Sequence, residues 1–237
     1  MCSLFGFTDY GHQLSRKARH RLLTVLSTAC EERGTDATGI AYNVGGRQHI
    51  FKRPLPAHLM WYRVPMEATV VMGHTRMATC GNPKNNIMNH PFPGRVDGTR
   101  FALAHNGILY NDRTLQKEFE LPASKIETDS YVAVQLIEKK RTLDTDSLKF
   151  MAEQLEGSFT ITVMDKDNNL YFVKGDNPMC IYHFKDKGIF VLAKIHHSLF
   201  KIQIIIAVCF FINIFFSCKS NTCRTMSQCM NNFALLF

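Results

Sequence analysis

Cys2, directly after the initiator methionine, is the residue whose type and place carry the most chemistry. Its small side chain permits removal of Met1, which leaves a thiol and a free α-amine on one residue. With ordinary pKa values of about 8.5 and about 8, the amine takes the thiol proton near neutral pH without help from a histidine. One residue then serves as nucleophile and base. The plain alternative is a small buried hydrophobe, a common role for a free cysteine.

A nucleophile of this kind, attacking an amide carried by an amino acid, needs three further groups. These are an anion hole for the tetrahedral intermediate, a cation for the substrate carboxylate and an anion for its ammonium. His105-Asn106-Gly107 follows an apolar strand, so the Asn106 side chain and the Gly107 backbone N–H are candidates for the hole. A simple Asn-Gly turn is the alternative. Arg76 ends the run Gly73-His74-Thr75-Arg76, where a guanidinium holds a carboxylate through two parallel hydrogen bonds; a surface arginine is the other reading. Asp129, in Glu127-Thr128-Asp129-Ser130, opens a helix, where it either caps or pairs with an ammonium.

These residues are positioned by a mixed set of elements. Residues 3–8 read as a short apolar strand, and 14–33 as a helix with Leu22, Val25, Leu26 and Ala29 at helical spacing, stopped by Gly34. Strands 39–44 and 47–52 join at Gly45-Gly46, a dipeptide suited to a two-residue hairpin. Residues 68–74 and 101–105 read as buried strands. The stretch between them, with Gly81, Asn82, Pro83, Pro91, Pro93 and Gly94, reads as a long binding loop. Helices are expected over 128–140, with a Thr-Asp-Ser cap, and over 147–155, followed by strands at 158–164, 170–174, 180–184 and 189–192. Hairpins outnumber βαβ units, which favours an antiparallel layered α+β fold.

The chain of 237 residues is 46% hydrophobic and 20% charged, enough for a real core and unlike a disordered or repetitive chain. Its 28 basic and 20 acidic residues leave a formal charge of +8. The only dense basic run, Arg16, Lys17, Arg19, His20 and Arg21, is read as a solvated helix face with phosphate binding as the minor alternative, and no nucleic-acid partner is expected. The eight cysteines show no C-x-x-C pair and no secretory leader precedes them, so a reducing cytoplasm is the default. Cys30 and Cys180 are read as core cysteines. His74, His90, His105 and the pair His196-His197 lack metal-ligand spacing and are assigned structural or loop roles, with no metal site.

The tail changes character. Residues 204–216 are almost unbroken apolar, fewer than the about 20 needed to cross a bilayer. They are read as a buried strand or helix, a less favoured membrane contact, or an atypical C-terminus. The expected organisation is one domain over 1–200 and an apolar, Cys-rich tail over 201–237.

Several motifs then fall in order: Cys2-Ser3-Leu4-Phe5-Gly6, Arg33-Gly34-Thr35-Asp36-Ala37-Thr38-Gly39-Ile40-Ala41, Gly73-His74-Thr75-Arg76-Met77-Ala78-Thr79, Asn89-His90-Pro91-Phe92, Leu103-Ala104-His105-Asn106-Gly107 and Glu127-Thr128-Asp129. In order and approximate spacing, from about residue 2 to 195, the chain resembles class II glutamine amidotransferase domains. The likeness is strongest to the glutaminase half of glucosamine-6-phosphate synthase and more distant to amidophosphoribosyltransferase. It implies an N-terminal-nucleophile hydrolase fold, a four-layer αββα sandwich of two antiparallel sheets. By motif position it implies Cys2 as nucleophile with its α-amine as base, Asn106 and Gly107 as oxyanion hole, and Arg33 near the nucleophile. Arg76 would bind the glutamine carboxylate and Asp129 its ammonium, with Thr79 nearby. No cofactor is implied. The family pattern has an aromatic residue and a histidine where this chain has Met77 and Cys80. No ammonia-consuming synthase domain is recognised in the sequence, which leaves three readings: a synthase partner on a separate chain, a free-standing glutaminase of unknown acceptor, or an aberrant tail on a poorly stable domain. Two competing readings are an N-terminal-nucleophile hydrolase of some other amide, disfavoured by the Arg76 and Asp129 pair, and a catalytically silent glutamine-binding or partner-docking domain.

Overall fold

A computed structural model describes residues 2–193 and the backbone of a short strand at 233–236. The readings placed on 204–216, on His196-His197 and on the cysteines beyond Cys180 lie outside the described residues.

Two sheets stack face to face. The first contains, in order, β3(Arg47–Arg53), β2(Ala37–Val44), β4(Val70–Arg76), β1(Ser3–Asp9), β10(Ile189–Ala193) and β9(Cys180–Phe184), all antiparallel. The second contains β11(Phe233–Leu236), β8(Leu170–Lys174), β7(Gly157–Met164), β6(Thr99–Leu109) and β5(Phe92–Val96). It is antiparallel except where β11 runs parallel to β8 at the edge.

The two-residue period of a strand sends alternate side chains to different layers. In β1, Leu4 enters the core between the sheets with Met72, Ala104, Phe172 and Leu192. Its neighbours Phe5 and Phe7 face the other way, against Leu22, Leu23 and Leu26 of α1(Arg16–Glu31). The second sheet repeats the device: Leu103, Ile161 and Val163 meet Val132, Leu136 and Ile137 of α3(Tyr131–Lys140) and Leu148 and Met151 of α4(Thr145–Gln154). The result is the expected four-layer αββα sandwich. Among the described residues no helix is long and apolar enough to cross a membrane.

Local chemistry sets the boundaries. Ser15 caps α1 by accepting the Ala18 N–H, and Asp144 caps α4 in a reciprocal pair with Ser147. Gly45 and Gly46, both at positive φ, turn the β2–β3 hairpin as the dipeptide predicts.

Several expectations need correction. The long loop before β6 contains a strand, β5, hairpinned to β6 through Asp97-Gly98 at positive φ. Pro93 is tolerated there because β5 is an edge strand. A short helix, α2(Asp112–Glu118), also went unpredicted; it buries only Leu115. The Thr128-Asp129-Ser130 start places no side-chain cap on α3. Cys30 is fully buried as expected, whereas Cys180 is only half-buried.

The basic run at the start of α1 is not a uniformly solvated face. Arg19 is buried: it donates to the carbonyls of Pro65, Met66 and Ala68 at 2.7, 2.9 and 2.6 Å and pairs with buried Asp9 at 3.3 Å. Burying a guanidinium is costly unless its donors are met, and here a whole loop is folded round it.

Candidate active site

The register of the first sheet determines what lies beside Cys2. Ser3 stands opposite Thr75 in the antiparallel β1–β4 pair, so Cys2 falls beside the end of β4, where Arg76 sits. On the other side of β4, Ala37 is opposite Arg76, which brings the turn after α1 against the same point. There the Asp36 N–H donates to the Arg76 carbonyl at 2.9 Å and the Asp36 carboxylate accepts the Ala78 N–H at 2.7 Å. A Cβ on Gly34 would come within 2.4 Å of the Arg76 carbonyl carbon, so only glycine lets this turn lie so close.

From the second sheet, β6 delivers His105, Asn106 and Gly107, with Gly107 opposite Phe159 of β7. Gly107 has φ of 153°, and an added Cβ would stand 1.7 Å from the Ser158 carbonyl oxygen and 2.7 Å from His105 Nε2. No other residue fits without moving β7. Asn177, from the loop after β8, clamps the strand: its Nδ2 donates to the Asn106 carbonyl at 3.0 Å and to Ser158 Oγ at 2.6 Å.

A cavity of about 10 Å³, room for roughly one water, lies where these elements meet. Cys2, Arg76, Thr79, Gly107 and Asp129 all line it, together with Cys80 and Ser130. Asn106 is buried next to Gly107 but is not among the lining residues, and neither is Arg33, which lies in the turn after α1. Five of the seven residues singled out in the sequence therefore converge on one point, and the other two stand in segments adjoining it.

Cys2, Arg76 and Asp129 are each engaged by neighbouring groups. The Cys2 thiol donates to the Met77 carbonyl at 3.5 Å, and burial pushes its pKa up, opposed by the nearby Arg76 charge. Arg76 Nη1 donates to Asn89 Oδ1 at 2.7 Å, and Nη2 donates to the Cys80 carbonyl. Asp129 accepts the Leu109 N–H at 2.8 Å on one oxygen and the Ser130 hydroxyl at 3.2 Å on the other, so it braces β6 and does not cap α3. Met77 is exposed, and Cys80 reaches the Glu127 carbonyl through its thiol at 3.5 Å.

Three imidazoles back the cavity. His105 Nδ1 lies 2.7 Å from Ser130 Oγ; because that hydroxyl donates to Asp129, the histidine nitrogen is the donor of this pair. His74 Nε2 donates to the His105 carbonyl at 2.9 Å, and the His90 ring packs between His74 and Phe92 at 4.2 Å from each. Burial lowers all three pKa values, that of His74 to about 3. Lys52, behind them, donates to the carbonyls of Asn89 and Pro91, and burial brings it down to about 8. The histidine cluster, Ser130 and Asn177 were not assigned to this site from sequence. His74 and His105 flank predicted site residues, but only the sheet order brings them together.

This fold and the groups gathered at Cys2 define a class, and comparison with known proteins agrees with it. The chain belongs to the glutamine amidotransferase domain family, whose profile matches residues 74–199, in its class II, N-terminal-nucleophile branch. Over 191 residues it is 31% identical to glutamine–fructose-6-phosphate aminotransferase (isomerizing) of Oceanobacillus iheyensis, covering 76% of this chain and 30% of that protein. Over 176 residues it is 28% identical to 7-cyano-7-deazaguanine synthase of Saccharolobus solfataricus, covering 71% of this chain and 37% of that one. The chain thus spans about a third of the length of these relatives. The fold resembles that of glutamine phosphoribosylpyrophosphate amidotransferase from B. subtilis, with TM-score 0.63 at 21% identity over 81% of this chain and 42% of that one.

Proposed function

We propose that this chain is a glutaminase of the amidotransferase type, releasing ammonia from the glutamine side chain through a thioester on Cys2. The observation that carries the reading is the single cavity lined by a thiol, a guanidinium, a carboxylate and a glycine N–H strand, drawn from four separate parts of the chain.

Once Met1 is removed, the α-amine of Cys2 takes the thiol proton, and the thiolate attacks the glutamine side-chain carbon. The oxyanion that forms is met by Asn106 and the Gly107 N–H. The proton returns to the leaving nitrogen, ammonia departs, and water hydrolyses the thioester to glutamate. Arg76 and Asp129 hold the carboxylate and ammonium of the amino acid, which is how a site tells glutamine from an amide lacking that head group. Thr79 adds a hydroxyl to the lining, and Arg33 stands by motif position near the nucleophile.

The cavity as it stands is too small for glutamine. Arg76 spends one arm of its fork on the Cys80 carbonyl, so a substrate carboxylate must displace that carbonyl. Admission of substrate therefore requires the Met77–Gly81 segment to swing outward. The ammonia released here passes to an acceptor on a synthase unit, in keeping with the aminotransferase and synthase activities for which the longer relatives are named.

The test is direct: purify the chain, establish by intact mass that Met1 is gone, and measure ammonia and glutamate release from glutamine. Turnover is expected, abolished by Cys2→Ala and by a glutamine-like electrophile that labels Cys2 stoichiometrically. A processed, folded chain with neither turnover nor labelling, alone or with a synthase partner added, supports a silent glutamine-binding domain instead.

A further inference from the structure

On the outer helical layer, a groove of about 670 Å³ opens between the first turns of α1 and the segment 61–65. Its size is that of a small-molecule site. Leu23 and Val64, both buried, contribute an apolar floor. Trp61 forms a wall with 66% of its surface exposed, its ring 4.7 Å from that of His20. Arg16, Lys17 and Arg63 surround the opening, and no carboxylate is among the lining residues.

The walls are tied in place. His20 Nδ1 lies 3.1 Å from the Tyr62 carbonyl, and the buried Arg19 holds the carbonyls of Pro65, Met66 and Ala68. The exposed indole is thus presented on a segment fixed to α1 at both ends. The charges are placed at a cost: Arg16 and Lys17 occupy the first turn of α1, which has no acidic residue, and face the positive end of the helix dipole. Arg16, Lys17 and Arg63 take no part in the ion pairs Arg19–Asp9, His58–Glu31, Lys149–Glu153 and Lys166–Asp167. An anion in the groove would relieve that repulsion.

We propose that this groove binds a mononucleotide, the base stacked on Trp61 and the phosphate held by Arg16, Lys17 and Arg63. A planar aromatic group beside a dianion is what an exposed indole next to three cations recognises, and neither half of the ligand alone uses both surfaces. The site is independent of the Cys2 chemistry.

Trp61 is the only tryptophan of the chain, so its fluorescence reports this groove and no other. The full chain is titrated at low salt with AMP, GMP and UMP, and separately with adenosine and with inorganic phosphate. The expected result is saturable quenching by a nucleotide, at least tenfold tighter than by the nucleoside or phosphate alone and weakened by salt. Arg63→Ala and Arg16→Ala should each weaken binding about tenfold, the usual effect of losing a charge-assisted hydrogen bond. Trp61→Ala, followed by calorimetry, should weaken it similarly, and all three variants should keep the parent circular dichroism. Equal affinity for nucleotide and phosphate would overturn the stacking role, and equal affinity for nucleotide and nucleoside the role of the cations. No saturable response at millimolar nucleotide would overturn the proposal, as would tighter binding of an acidic peptide, which would make the groove a protein-docking surface.

Discussion

The imidazoles behind the Cys2 cavity predict a protein that loses stability early on acidification. His74, His90 and His105 are each 4% exposed or less, and burial holds each below its ordinary pKa, His74 at about 3 and His90 well below the usual value. An unfolded imidazole titrates at about 6.5. Between those values the unfolded chain binds a proton that the folded chain refuses, so stability is intact above about pH 6.5 and falls as pH drops toward the folded pKa. By pH 5 the loss from His74 alone is about 2 kcal/mol. Burial acts in the same direction on His90 and His105, so both add to that loss as the pH falls. Urea unfolding at pH 7.5 and pH 5, on the parent and on His74→Gln, singles out His74 and its contact with His90, because titrating groups remote from the cluster cancel in the comparison. The variant should lose about 2 kcal/mol less than the parent between the two pH values. The same pH dependence in both proteins, or a His74 resonance titrating above pH 6 in the folded state, would refute the reasoning.

Three further outcomes follow from local geometry. Gly107→Ala drives a Cβ into the Ser158 carbonyl, so β6 and β7 must part; kcat should fall at least about 100-fold with stability down by roughly 1–3 kcal/mol, measured by glutamate release and thermal unfolding. Arg19→Met strands the Asp9 carboxylate and releases the carbonyls of 65, 66 and 68, which should cost about 3 kcal/mol in urea unfolding, with Asp9→Asn in the same chain recovering part of it. Asp144→Ala removes the α4 cap and should cost about 1 kcal/mol without changing glutamine turnover, since α4 contributes no residue to the lining of the Cys2 cavity.

Local patterns were legible wherever one signal acted alone. Gly45-Gly46 and the apolar runs of β1, β7 and β8 placed those elements within a residue or two, and the motif order identified the family. Competing signals concealed others. Pro93 and Gly94 read as loop punctuation, although Asp97-Gly98 beside them is as strong a hairpin cue as Gly45-Gly46. Arg19 sits in a basic run that looks solvated, because its partners, Asp9 and three carbonyls of a distant loop, lie elsewhere in the chain. Asp129 carries a helix-start pattern, yet a neighbouring strand takes its carboxylate. Likewise His74, His90 and His105 share no local spacing; two sheets and a loop must meet before they touch.

The place of β1 has a consequence for biosynthesis. The strand that follows Cys2 is sandwiched between β4 and β10, and β10 spans Ile189–Ala193. During translation the first strand made waits for almost the last described one before its second edge is covered. Throughout that interval the N-terminus is still outside a finished sheet, where the proposed removal of Met1 meets no completed fold. In the folded protein the same residue is buried against Met77 and Arg76. On the proposed mechanism, then, the nascent chain offers the interval in which the catalytic amine can be released, before β10 covers the second edge of β1.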